Sequence, residues 1–383
     1  MKIALLTTDN REAFRNYEHP MPYFGAAPEA LIEGFSALSG VEVHVVSCTQ
    51  RPVAAPEKLG ENIHFHSLLV PKIGWLRTGY SGCIRAVRKK LKQLQPEIVH
   101  GQGTERDCAI SAVFSGFPNV VTIHGNMAAV ARQFGARLGS YSWLAGKLED
   151  FTLPRCGGVF CNSDYTERLV RQRTEKVWRV ANPLRKVFFE PLPVRPARAS
   201  FTLLNVGAIC PRKRQVELLE LAQQLFLTGS RIQWHFYGAA DANDAYARSF
   251  LTAVERAEKE GYARYLGERA SGELIEGYDR AGGMVHFPSE EAFGLVVAEA
   301  LARNLKFFGA KVGGIGDIAA DVEGAELFAG SDWQGLAGAI RRWEAEQFPR
   351  PSGASATVSA RYHPAVIAQR HLDIYREVLG RGE

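Results

Sequence analysis

The chain is poor in sulfur and has no sulfur pattern: its 383 residues include six cysteines and four methionines, and no Cys-x-x-Cys pair. Scattered cysteines of this kind read as buried thiols of a reducing compartment, not as a disulfide framework. No apolar run approaches the roughly 18 residues of a membrane span, and the leading run 3–6 stops at Thr7-Thr8-Asp9, too short for a signal core. A cytoplasmic protein, soluble or peripheral, is expected. His-Glu-x-x-His, Gly-x-Ser-x-Gly and Asp-x-Asp are all missing. Their absence removes the zinc-protease helix, the nucleophile elbow and the usual acidic bridge between a divalent metal and a diphosphate. Charge of one sign is scarce as well: 46 basic against 41 acidic side chains leave +5, and no nucleic-acid partner is expected. Residues 1–190 nevertheless hold 24 basic and 17 acidic side chains and the remainder 22 and 24, so an anionic surface would be felt in the first half.

What is present is a globular composition, 46% hydrophobic and 23% charged, ample for two cores. Short β-branched runs alternate with helical patterns. Strands are predicted over 2–7, 41–48, 97–100, 120–124, 159–162 and 177–181, with helices over 28–38, 81–94, 143–151 and 164–173. Asp164 is expected to cap the last of these, with Glu167 reaching back. Pro183, Pro191, Pro193 and Pro196 then interrupt both periods, and 182–200 reads as a linker. Alternation restarts with strands over 202–206, 232–237, 265–267, 284–287 and 305–308. The expected fold is α/β: two doubly wound, Rossmann-like parallel-sheet domains, 1–190 and 191–363, facing across a cleft. A C-terminal helix, 364–383, packs back toward the first.

The informative segment runs from Val285 to Leu301. A strand ends at Phe287, a polar turn follows, and an apolar helix opens near Phe293-Gly294. Free amides and the positive helix end make such a place an anion site. Glu299 lies among apolar neighbours inside the helix. Were Glu291 helical too, the two carboxylates would stand about 12 Å apart, beyond the roughly 5–9.5 Å of glycosidase pairs. They fit anchors for the two ends of an extended ligand; on spacing alone they equally fit a turn glutamate and an incidental helix glutamate. A second segment, Val206-Gly207-Ala208 through Arg212-Lys213-Arg214, sets three cations after a strand and a glycine turn, suited to a diphosphate or to plain solvation.

Taken together, these segments resemble glycosyltransferase family 4, retaining enzymes of the GT-B fold. Glu291-Ala292-Phe293-Gly294-Leu295 through Glu299 resembles its E-x7-E motif, and Val206-Gly207 with Lys213 its phosphate segment. Val312-Gly313-Gly314-Ile315 resembles its later glycine pair, Phe24-Gly25-Ala26-Ala27 its first glycine-rich loop, and Thr122-Ile123-His124-Gly125 a further strand end. The resemblance implies that Glu291 contacts the transferred sugar and that His124 faces it from the other domain. Amides after Phe293, at Gly294 and Leu295, would hold sugar and phosphate. Glu299 would take the ribose, Lys213 the diphosphate, and Gly25 and Gly207 would let backbone approach it. It also implies a nucleotide-diphospho-sugar co-substrate with no metal or other cofactor, and a saccharide, lipid-linked or small-molecule acceptor, with 9–25 as a candidate acceptor loop. Ala208 departs from the family's arginine, leaving Arg212 or Arg214 to supply that contact. Two rivals stay open: a non-catalytic nucleotide-sugar binder, and an epimerase or phosphorylase on the same scaffold.

Three weaker signals are set aside. Gly314-Ile315-Gly316-Asp317-Ile318-Ala319 fits a dinucleotide fingerprint but stands far from its domain's first strand. His64 and His66 share a strand face without further ligands at metal spacing. The basic helix 81–94, with Trp75 and Leu76 upstream, suits either solvent or an anionic membrane.

Overall fold

The computed structural model describes residues 1–133, 135–190 and 201–381. Residues 191–200, most of the expected linker, lie outside them. The chain divides into two compact units, Met1–Lys186 with Tyr362–Glu383, and Val187–Arg361.

The first unit carries β1 (Lys2–Leu6), β2 (Glu42–Thr49), β3 (Lys58–Gly60), β4 (Ile63–Leu69), β5 (Ile98–Gln102), β6 (Asn119–Ile123), β7 (Val159–Cys161) and β8 (Val177–Arg179). Their order is β3-β4-β2-β1-β5-β6-β7-β8, parallel throughout except for the edge strand β3. The second carries β9 (Thr202–Val206), β10 (Gln233–Tyr237), β11 (Ala263–Gly267), β12 (Gly283–His286), β13 (Lys306–Ala310) and β14 (Ala325–Phe328), ordered β11-β10-β9-β12-β13-β14 and wholly parallel. The helices that matter below are α1 (Ala26–Ser36), α2 (Ser81–Leu94), α3 (Asp107–Val113), α4 (Gln215–Leu227), α5 (Leu295–Ala302) and α6 (Pro364–Val378).

β1 explains why its run is apolar at every position. Ile3 and Leu5 enter one core with Leu31 and Phe35 of α1 and Ile367, Leu372 and Tyr375 of α6. Ala4 and Leu6 enter the other, with Val87 and Leu91 of α2 and Ile110 of α3. A parallel sheet buried on both faces requires this. α6 reaches the first unit because α1 gives way to it: a Cβ on Gly34 would lie 2.3 Å from the Pro364 carbonyl oxygen.

Several expectations change. The break between units falls before Val187, because Phe188 is fully buried and packs on Tyr278, and Arg303 donates to the Glu190 carbonyl at 2.8 Å. Ser163, not Asp164, caps its helix, its hydroxyl accepting from the Thr166 amide; Asp164 pairs with Arg168 instead. Trp75 is buried, its N–H given to the Val70 carbonyl at 3.1 Å, so it is no surface aromatic beside α2. β3 and β14 were not foreseen, and β4 only as the strand face that carries His64 and His66. β4 reads Ile-His-Phe-His-Ser-Leu-Leu, and its histidines break the apolar run.

Among the described residues no helix is long and apolar enough to cross a membrane.

Candidate functional site

In the second unit the site is built where two strands end. After β9 the chain turns at Gly207 (φ +151°), and the fully buried Gln215 at the start of α4 clamps the turn. Its amide donates to the Ala208 carbonyl at 3.0 Å and accepts from the Cys210 amide at 3.3 Å. After β12, the Ser289 amide donates to the Arg212 carbonyl at 2.9 Å, joining the two loops.

Between them lies Glu291, which precedes the helix instead of belonging to it. Its carboxylate pairs with the Lys213 ammonium and accepts from His286 Nε2 at 3.1 Å, while Arg212 Nη1 stands 4.0 Å from its other oxygen. Burial by itself would push the Glu291 carboxyl up; the His286 hydrogen bond and the Lys213 charge outweigh it and hold the group well below the usual carboxylate range. Burial, reinforced by Lys213, pushes the His286 imidazole down to about 4, so it is neutral. Its Nδ1 is buried and has no hydrogen-bond partner among the described residues.

Glycines hold this carboxylate from behind. The Gly314 amide donates to the Glu291 carbonyl at 3.1 Å, and a Cβ on Gly313 (φ +52°) would lie 1.6 Å from that same oxygen. The segment resembling a dinucleotide fingerprint is therefore a backbone clamp. Gly294 caps α5 at φ +103°, so the cap residue offers no side-chain acceptor to the first amides of the helix. Phe293 is buried, and Leu295 opens the helix. Glu299 is buried one helix turn deeper and accepts from the Tyr278 hydroxyl at 3.2 Å.

Of the three consecutive cations, Arg212 and Lys213 stand at Glu291, whereas Arg214 gives Nη1 to the Gly330 carbonyl at 2.6 Å. Of the two arginines, Arg212 is thus the one that stands at Glu291. Lys213 is held by Glu291, a partner its sequence context did not suggest.

In the first unit, His124 follows β6 and its Nε2 lies 2.9 Å from Gln102 Oε1, at the end of the neighbouring β5. Gln102 Nε2 lies 3.1 Å from His100 Nε2, which is 2.7 Å from Thr122 Oγ1; His100 Nδ1 is 2.5 Å from the Tyr375 hydroxyl. Burial lowers His124 to about 4, against a hydrogen bond to Asn182, and likewise lowers His371 of α6 to about 4. A cavity of about 10 Å³, at most one water, is lined by His124, Gln102, Thr122, Asn182 and His371. Gly25 caps α1 at φ −66°, and a Cβ there meets nothing nearer than Pro28 at 3.6 Å, so the chain's own packing does not require glycine.

Sequence reasoning missed His286, Gln215, Tyr278, Gln102, His100 and Tyr375. His286 had a signal in its place at a strand end, five residues before Glu291. Tyr375 had none, 275 residues from the histidine it meets. His64 and His66 do share a face, stacked on His44 at 4.8 and 5.3 Å. The group of side chains close enough to share an ion among the described residues is Cys48, Cys83 and Asp107, fully inside the first unit, with the Cys83 hydrogen bond and then burial raising the Cys48 thiol.

Residues 29–184 match the family model described as Glycosyltransferase Family 4, and residues 195–356 that described as Glycosyl transferases group 1. No curated protein matches the chain closely in sequence. Among solved structures, sucrose-phosphate synthase from Thermosynechococcus elongatus superposes with a TM-score of 0.76 at 18% identity, covering 99% of both chains. Anabaena HepE in complex with UDP-glucose gives 0.70 at 17%, again over 99% of each. A glycosyltransferase from Rickettsia africae gives 0.71 at 14%, over 99% of this chain and 98% of that one. Two parallel-sheet units of this kind, each matched by its own family model, place the chain in glycosyltransferase family 4, on the GT-B fold.

Proposed function

We propose that the protein is a retaining, metal-independent glycosyltransferase that takes a nucleotide-diphospho-sugar in its second unit and passes the sugar to a saccharide, lipid-linked or small-molecule acceptor. The observation that carries this is the Glu291 carboxylate, held by Lys213 and His286 beside the glycine-capped amide end of α5. The binding of UDP and UDP-glucose by similarly folded proteins supports the donor class.

In this reading the amides of Gly294 and Leu295, with Lys213 and Arg212, carry the charge of the departing diphosphate. Lys213 keeps a fixed position through Glu291 and has further N–H bonds to give. Glu291 accepts from sugar hydroxyls, and Glu299, oriented by Tyr278, accepts from the ribose. His124 is neutral, so it meets the sugar as a hydrogen-bonding group and not as a cation. The bond from the anomeric carbon to the diphosphate oxygen breaks, and the acceptor oxygen bonds to that carbon on the same face. The acceptor proton leaves with the diphosphate. Two cations beside the leaving group serve where an Asp-x-Asp metal bridge would otherwise stand.

A thermal-shift screen of UDP, GDP and ADP and their sugars, followed by donor turnover, tests the reading. Lys213→Ala should weaken nucleotide-sugar affinity by roughly 10-fold or more, and Glu291→Ala should mainly lower kcat. Unchanged affinity in the lysine variant would remove the phosphate assignment. Binding without hydrolysis or transfer would favour the non-catalytic binder to which Ala208 points.

A further inference from the structure

Five polar groups are linked inside the first unit: Tyr375, His100, Thr122, Gln102 and His124. Tyr375 comes from α6 and the others from β5, β6 and their ends. Their order decides where each proton sits. The Tyr375 hydroxyl is fully buried, and His100 Nδ1 is its one hydrogen-bond partner among the described residues. Were the phenol to accept there, its own proton would be left inside the protein without an acceptor, at a cost of about 1–3 kcal/mol. It therefore donates.

His100 is fully buried, which holds its imidazole well below the ordinary range and keeps it neutral. With Nδ1 accepting, its single proton is on Nε2, 2.7 Å from Thr122 Oγ1 and 3.1 Å from the Gln102 carboxamide. An amide N–H₂ at that distance would oppose the ring N–H, so the ring proton calls for the carboxamide oxygen on this side, the reverse of the orientation given above. A half-turn of the carboxamide exchanges its two ends at the same distances. Its N–H₂ then faces His124 Nε2, 2.9 Å away, and that nitrogen must accept.

We propose that the C-terminal helix sets the tautomer of His124: Tyr375, acting through His100 and Gln102, holds that imidazole with its proton on Nδ1. Tyr375, His100 and Gln102 are positioning residues. The idea rests on reading His124 as a substrate-contacting group only for its effect on turnover; the proton assignment stands without it. One consequence is that α6 belongs functionally to the strand end at residue 124. A shortened chain lacking α6 would lose a proton pattern as well as packing.

The test is two-bond ¹H–¹⁵N NMR of the histidine rings in the full-length labelled protein, with His124 assigned from a His124→Gln sample. The wild type should show neutral His124 protonated on Nδ1. Tyr375→Phe should give a mixture of both tautomers, with kcat down about 3- to 10-fold and donor KM within 2-fold. Gln102→Glu, nearly the same shape, covers the case in which Tyr375→Phe does not fold. Its carboxylate can only accept from His124, so the ring should switch to Nε2–H. A wild-type ring protonated on Nε2, an unaltered pattern in Tyr375→Phe, or retention of Nδ1–H in Gln102→Glu would overturn the proposal. The NMR arm uses no substrate, so an absence of glycosyl transfer would count against the proposed function alone.

Discussion

Each unit places a buried polar cluster at the ends of parallel strands, and the two clusters are solved by opposite means. In the second unit it is ionic: Lys213, Arg212 and Glu291, with a neutral His286 between. In the first it is neutral throughout, histidines, an amide and two hydroxyls linked in series. Cations kept beside a carboxylate are stored for a polyanion, which can take over part of their pairing. A neutral series stores no charge; it stores direction, because each donor fixes the next acceptor. The supports differ too. Glu291 is gripped through its backbone by Gly313 and Gly314, whereas His124 is held by the side chain of Gln102, which meets the α6 residue Tyr375 only through His100.

The backbone grip is the largest effect to break. Gly313→Ala drives a methyl into the Glu291 carbonyl at a left-handed φ, and should cost about 3 kcal/mol or more, read by urea unfolding along with loss of donor binding. Gly316→Ala, with nothing within 4 Å of the added carbon, is the matched control and should be near neutral. An equally tolerated alanine at 313 would show that the loop is not clamped.

Acid should separate the two clusters next. His66, His124 and His371 in the first unit and His286 in the second are held near 4, below the ordinary 6.5. The unfolded chain binds their protons first as pH falls, so their contribution is complete above 6.5 and is lost between 6.5 and 4, at up to about 1.4 kcal/mol per pH unit for each. With three such histidines against one, and His100 lowered as well, the first unit should melt earlier on acidification, although Glu105, raised to about 7 by burial, opposes the trend there. Calorimetry from pH 7 to 5, with transitions assigned by proteolysis, checks it; equal shifts would contradict the comparison.

The smallest effect belongs to Tyr278→Phe. It removes the hydroxyl that Glu299 accepts from at 3.2 Å while keeping the ring packed on Phe188. Nucleotide affinity should fall by about 3- to 5-fold with kcat unchanged, read by titration calorimetry. A larger change in kcat would move Glu299 from the ribose toward the chemistry.

Sequence by itself determined the alternation of elements and the place of the second-unit site. Apolar runs buried on both faces leave β1, β5, β9 and β12 legible, and Glu291, Gly294, Lys213 and Glu299 stand within two short segments around strand ends. β4 was legible only as the strand face of His64 and His66, because those histidines break its apolar run. The cap at Ser163 was misassigned because three polar residues in a row offer the same chemistry, and only backbone geometry chooses among them. Tertiary structure alone decided which partner each polar group takes. Lys213 meets Glu291 and His286 because β9 and β12 are neighbours, and Tyr375 meets His100 because Gly34 lets α6 approach α1. Local pattern carries periodicity and charge; the pairing of distant buried groups depends on which strands adjoin and which helices can come close, and that is fixed only when the sheet assembles.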